Sequence, residues 1–181
     1  NNLGCAKGET ATPVGFYTGV CLGKLGPGAT AMPTYVDGVE HTFYDPKSDR
    51  YPLTVISPNS YYRSHSSNFT NPYLHGDCYK HRCWISVADA KARGIKDNDL
   101  VRIFSDVGEM IIPAYVTSRM TPGVVAIYHG GFHMPGGVKT RLMPDGIDRG
   151  GNMNFLTEDN QPGKMVIGPV VGSGPVEVQK L

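Results

Sequence analysis

A chain of 181 residues with formal net charge +1, from 17 basic and 16 acidic side chains, carries no field strong enough to recruit nucleic acid or an anionic membrane. Gly (23) and Pro (14) make up about a fifth of it, above the usual combined share of roughly 12%, which favours strands and turns over helices. No stretch approaches the ~20 apolar residues of a membrane span, and Asn1-Asn2-Leu3-Gly4-Cys5 has neither initiator Met nor signal-peptide core, so the chain reads as cut from something longer.

Residues 1–50 show little periodicity and are punctuated by Gly23, Gly26, Pro27, Gly28 and Pro33. They read as an irregular arm that packs on a barrel domain or on other domains of a parent protein, because a structureless segment this long is uncommon inside a compact domain. Residues 51–181 read as the domain proper. Leu53-Thr54-Val55-Ile56-Ser57 is its first strand, β-branched and stopped by Pro58. Cys83-Trp84-Ile85-Ser86-Val87 is the next, and Trp84 reads as core because large aromatics dominate buried area. Asp89-Ala90-Lys91-Ala92-Arg93-Gly94 then supplies one or two helical turns, with Gly94 suited to the left-handed position past the end.

The clearest hairpin runs from Leu100 to Ser105, through Asp106-Val107-Gly108, and back over Glu109 to Val116. Gly108 sits where a three-residue loop calls for a left-handed residue, and Pro113, which has no N–H, belongs at a sheet edge or bulge. Val124-Val125-Ala126-Ile127-Tyr128 forms another strand, residues 129–154 are loop, and Val176-Glu177-Val178-Gln179 is a last short strand. The fold class is mainly β: five or six short strands with little helix and long loops describe a compact barrel better than an open α/β sheet.

Two polar stretches stand out. Residues 146–157 pack glycines, Asp148, Arg149, Asn152 and Asn154 together, bringing backbone N–H groups near an anion and carboxamides near a flat heterocycle. This is nucleotide-cofactor chemistry. Residues 57–68, Ser57-Pro58-Asn59-Ser60-Tyr61-Tyr62-Arg63-Ser64-His65-Ser66-Ser67-Asn68, have the same character, so both are expected to converge on one bound molecule. Neither holds an obvious reaction centre.

The remaining chemical groups have plainer readings. Cys5, Cys21, Cys78 and Cys83 match no zinc-finger or CxxC spacing and read as free or structural thiols, although Cys78 and Cys83 beside His75 and His81 have a metal-binding composition. Asp89, Asp97 and Asp99 read as capping and turn residues. His129, His133 and Met134 either line a funnel or are incidental loop residues; Tyr61 and Tyr62 either stack on a heterocycle or pack on the barrel rim. A zinc hydrolase is disfavoured by the absence of HExxH, and a small interaction barrel without cofactor is the alternative.

Several motifs occur together in order. They are Tyr51-Pro52-Leu53-Thr54-Val55-Ile56-Ser57-Pro58, Arg63-Ser64-His65-Ser66-Ser67-Asn68, Trp84-Ile85-Ser86-Val87-Ala88-Asp89-Ala90, Arg93-Gly94-Ile95-Lys96-Asp97-Asn98-Asp99-Leu100-Val101, Thr121-Pro122-Gly123, Tyr128-His129-Gly130-Gly131 and Asp148-Arg149-Gly150-Gly151-Asn152-Met153-Asn154-Phe155-Leu156-Thr157. The series resembles the C-terminal dinucleotide-binding domain of the dimethyl sulfoxide reductase family of molybdenum oxidoreductases. It covers about Tyr51 to Thr157, with a weaker echo at Gly15-Phe16-Tyr17 and Met32-Pro33-Thr34-Tyr35.

The resemblance implies a six-stranded double-psi β-barrel-like domain closing over bis(molybdopterin guanine dinucleotide), which holds molybdenum or tungsten. It implies cofactor contacts from Ser57, Arg63, His65, Ser66, Asn68, Asp148, Gly151, Asn152 and Asn154, with Asp148 either accepting from a guanine or pairing with Arg149. It also implies that the metal's protein ligand lies in an earlier domain, so that this chain is a piece of a catalytic subunit, inactive alone. Expected partners are the other domains of that subunit, an iron–sulfur subunit and a membrane anchor; the expected setting is bacterial, periplasmic or at the inner membrane. Tyr128-His129-Gly130-Gly131 and Asp148-Arg149-Gly150-Gly151 lean towards dimethyl sulfoxide reductases over formate dehydrogenases and leave the substrate open.

Overall fold

The computed structural model describes residues 49–61, 63–67, 69, 71–75, 81–157 and 173–181. They fall in one of the chain's two units, Gly38–Thr157 with Val171–Leu181. The arm expected over residues 1–50 lies outside the described residues except for Asp49 and Arg50, and Asn68, Tyr62 and Cys78 lie outside them too.

Six strands and a few short helical turns follow in the order β1 Leu53–Ile56, α1 Pro72–His75, β2 Cys83–Ser86, α2 Val87–Ala92, β3 Leu100–Phe104, β4 Glu109–Thr117, β5 Val124–Ile127, a 3₁₀ turn Met153–Leu156, and β6 Ser173–Lys180. The strands close into a barrel in the order β1-β5-β2-β4-β3-β6. β1 pairs parallel with β5 and β2 parallel with β4, while every other pairing is antiparallel. Two parallel pairs inside a closed six-stranded barrel give the double-psi architecture.

Period-two alternation fills the interior. Leu53 and Val55, Cys83 and Ile85, Val101 and Ile103, Met110 and Ile112, Val125 and Ile127, and Val176 and Val178 all point inward into one cluster. Burying a Val, Leu or Ile contributes about 1.5–3 kcal/mol, so a one-residue slip of any strand is strongly disfavoured. That register corrects the expectation for Trp84. With Cys83 and Ile85 inside, Trp84 stands on the outer face, edge-on to Tyr115 and Tyr128 at 4.7 and 5.5 Å.

Two other local expectations shift for physical reasons. Pro113 has no edge to occupy in a closed barrel. It faces Leu100 at the point where β4 passes from β3 to β2, with Ala114 already opposite Cys83. Gly108 is not among the left-handed glycines; it is needed for close approach, because a Cβ there would strike the Phe155 carbonyl. The helix after β2 starts earlier than expected, at Val87, since the Ser86 hydroxyl caps it by accepting from Asp89 N at 3.0 Å. Gly94, at φ 64°, ends it with Ile95 N donating to Ala90 O and Gly94 N to Lys91 O. Asp97 accepts from Val116 N and Asp99 from Lys96 N, in the turn roles expected of them.

The pairing fixes strand direction: β1, β3 and β5 run one way, β2, β4 and β6 the other. The segments after β1 and β5 therefore leave from the same end of the barrel. There His129 N donates to Pro58 O at 2.9 Å, tying the two exits together.

Candidate functional site

The loop after β1 and the long segment after β5 wall a cleft of about 410 Å³ lined by Ser57, His65, Ser66, His129, Gly130, Gly131, Phe132, His133, Asn152, Met153 and Asn154. A second cavity of about 510 Å³, lined by Asn59, Ser60, Tyr61, Arg63, Ser64 and His65, adjoins it across His65. The two polar stretches singled out in the sequence thus share one cleft. Ser57, His65, Ser66, Asn152 and Asn154 meet there; Arg63 lines only the adjoining cavity.

Backbone contacts hold the walls close. At Gly130, with φ 87°, an added Cβ would run into the backbone of His65 and Ser66, so only glycine lets the β5 exit press on the first loop. The His65 and His129 rings meet Nδ1 to Nε2 at 3.0 Å. Arg63, 9% exposed, donates from Nη2 to His129 O at 3.1 Å, faces His81 Nδ1 at 3.4 Å, and lies over Phe69 at 4.9 Å. Its guanidinium clamps the loops together. The His81 ring, through Nε2, bonds Gly151 O at 2.9 Å, which occupies the Gly151 carbonyl structurally.

Asp148 has a different setting from the other residues of its motif. It is fully buried and does not line the cleft. Its carboxylate accepts from Met134 N, Gly150 N and Asn152 N at 2.8, 3.0 and 2.8 Å. Arg149 beside it is exposed, and the side chain facing Asp148 is His133, Nδ1 to Oδ1 at 3.5 Å. The segment is further pinned to β4 by Ile111 N donating to Asp148 O, and by the Thr140 hydroxyl donating to buried Glu109, which also pairs with Arg102. Asn152 caps the 3₁₀ turn through Oδ1, accepting from Asn154 N at 3.2 Å, and the exposed Asn154 side chain is left at the cleft.

His129, His133, Phe132 and Met153 line the cleft without having been chosen as site residues. A loop histidine carries no periodicity; the signal available for His129 was its place beside the Gly130-Gly131 pair. Tyr61 is 99% exposed at the adjoining cavity and does not pack on the rim. Cys83 is buried in the barrel core, and no cluster of three or more His, Cys, Asp or Glu suited to a metal occurs among the described residues. No helix among them is long and apolar enough to cross a membrane.

The donor set suits a polar, aromatic ligand. Imidazoles, hydroxyls and carboxamides converge on one cleft, and Ser57 Oγ is buried there with no hydrogen-bond partner among the described residues. A buried hydroxyl without a partner costs about 1–3 kcal/mol, which a ligand hydrogen bond would recover.

A double-psi barrel whose end cleft is walled by two polar loops, the second bearing several glycines, is the class this geometry defines. The chain belongs to the molydopterin dinucleotide binding domain family, whose model matches residues 53–170. It is 35% identical over 83% of its length to the probable dimethyl sulfoxide reductase chain YnfF of Escherichia coli, of which it covers 18%. It is 32% identical over 99% of its length to the pyrogallol hydroxytransferase large subunit of Pelobacter acidigallici, of which it covers 22%. The chain therefore spans about a fifth of the length of these curated relatives. Acetylene hydratase from Pelobacter acetylenicus shares the fold, with TM-score 0.65 and 16% identity over 85% of this chain and 22% of that one.

Proposed function

We propose that this chain is the cofactor-binding domain of the catalytic subunit of a molybdenum or tungsten oxidoreductase of the dimethyl sulfoxide reductase type, and that it binds bis(molybdopterin guanine dinucleotide). The observation that carries this reading is the shared cleft, with Ser57, His65 and Ser66 on one wall and Asn152 and Asn154 on the other. When bound, the group supplies the metal and the two-electron chemistry of oxygen-atom transfer. The protein binds and orients it. Ser57 and Ser66 offer hydroxyls, His65 an imidazole and Asn154 a carboxamide to pterin or ribose edges that must keep hydrogen bonds once out of water. Gly130 and Arg63 hold the walls in register, and Asp148 shapes the second wall from beneath.

On this reading the metal's protein ligand lies elsewhere in the same subunit, and the 181-residue chain alone is inactive. Its partners are the remaining domains of that subunit, an iron–sulfur subunit and a membrane anchor, in a bacterial periplasm or at the inner membrane.

The test places His65→Ala and Asn154→Ala in the parent enzyme and measures pterin released per polypeptide. Occupancy falling several-fold in both is expected; full occupancy in both would overturn the reading.

A further inference from the structure

We propose that Asp148 and His133 act as a carboxylate–imidazole pair: Asp148 holds the ring with a proton on Nδ1, so that His133 presents Nε2 to the cleft as a hydrogen-bond acceptor. The ligand half of this inference rests on the cofactor reading above; the pair itself does not.

Asp148 is 0% exposed, and the three groups bonded to its carboxylate are all backbone N–H donors, from Met134, Gly150 and Asn152. The carboxylate is thus engaged only as an acceptor. His133 Nδ1 stands 3.5 Å from Oδ1, the same oxygen that receives Met134 and Gly150. A bare lone pair on Nδ1 would be repelled by that oxygen and a proton there attracted, so the carboxylate selects the Nδ1–H tautomer. A buried carboxylate fixing the far nitrogen of an imidazole is the same device that orients metal-bound and catalytic histidines.

The ring is steadied from the other side. Phe155 packs against it with centroids 4.6 Å apart, and Phe155 belongs to the 3₁₀ turn that carries Asn154. His133 is about one-third exposed and lines the cleft together with Asn152 and Asn154. With Nδ1 committed inward, a neutral ring offers the cleft a lone pair. That chemistry accepts from an N–H or O–H of the ligand, such as a pterin amine, a ring N–H or a ribose hydroxyl, and rejects a phosphate oxygen. His133 is a specificity residue on this account, and Asp148 is the positioning residue behind it.

The pair is tested on the 181-residue chain labelled with ¹⁵N-histidine, the His133 resonances being assigned by their loss in His133→Gln. At pH 8 long-range ¹⁵N–¹H correlations should show a proton on Nδ1 and none on Nε2. A neutral ring with bare Nδ1, or a ring protonated on both nitrogens, overturns the proposal. The ligand half is tested in the parent enzyme. His133→Asn keeps a donor for Asp148 but removes the group at the Nε2 position and should lower pterin retention several-fold; His133→Gln, which carries a carbonyl to that position, should restore most of it. Equal retention in both variants, while Asn154→Ala still loses pterin, would overturn the acceptor role alone. Equal retention in Asn154→Ala and His65→Ala as well would mean that the cofactor reading had failed.

Discussion

His65 Nδ1 lies 3.0 Å from His129 Nε2, joining residues sixty-four apart in the chain at the point where the two cavities meet. His65 also holds φ at 50°, a left-handed conformation that costs a non-glycine residue about 1–2 kcal/mol. The turn around it, closed by Ser67 N donating to Ser64 O at 3.0 Å, is therefore held in shape partly by its contact with the β5 exit. His129→Ala should remove about 1 kcal/mol of local stabilisation. Hydrogen exchange at the Ser67 amide is expected to speed up about fivefold while the global unfolding midpoint stays within error. An unchanged Ser67 rate would show that the imidazole contact does not hold the loop.

Gly123 and Gly130 form an internal control, because both have strongly positive φ, 84° and 87°. An added Cβ at Gly123 meets nothing within 4 Å, whereas at Gly130 it collides with the backbone of His65 and Ser66. Gly123→Ala should cost about 1–2 kcal/mol for the backbone alone. Gly130→Ala should cost at least about 1 kcal/mol more, since two loops must also move apart. Urea denaturation of the two variants measures the difference, and equal costs would contradict the close packing of the cleft walls.

Burial in the barrel pushes the Cys83 thiol up from 9.0 to about 12. Because the folded state holds this proton more tightly than the unfolded chain, the contribution is full below about pH 9 and is lost as pH rises through about 12. The difference in stability between the protein and Cys83→Ala should accordingly shrink across that window. At pH 8 the thiol should resist iodoacetamide until the protein unfolds, read by mass-spectrometric mapping of each cysteine. Rapid labelling of folded protein at Cys83 would contradict the packing.

Lys180 bonds Asp99 at 2.7 Å, and with Lys96 N–H it lowers the Asp99 carboxyl below its ordinary value of 3.8. The sign is that of a depressed acid: the contribution is present above 3.8 and disappears as pH falls below it. Asp99 is solvent-screened, so Lys180→Met should lower the neutral-pH midpoint only slightly, and that small difference from the parent protein should vanish as pH falls below 3.8. Acid titration of unfolding in the two proteins checks this.

The sequence pattern carried the barrel well and the site unevenly. β-branched runs, Gly94 after a short helix and the 105–108 turn are local signals, and each appears close to where it was expected. The parallel pairing of β1 with β5 is non-local, and it is what brings Ser57 and His65 beside Asn152 and Asn154. The shared polar character of the two stretches and the ordered series of motifs pointed to that convergence, but not to its geometry. Side-chain direction was the weak point. In β2 both Cys83 and Trp84 are plausible core residues, and the period-two register admits only one of them. In the 146–157 stretch, residue type alone does not distinguish Asp148, turned inward to three N–H groups, from Asn154, turned out to the cleft. His129 and His133 show the same limit, since a loop has no period to reveal which way a ring faces.

The most direct test of the central claim is hydrogen exchange of the parent enzyme with and without its pterin cofactor. Protection on binding is predicted in both walls together, over residues 57–67 and over residues 130–154, because one ligand touches both. Protection confined to a single wall, or to neither, would contradict a cleft that clasps one molecule between them.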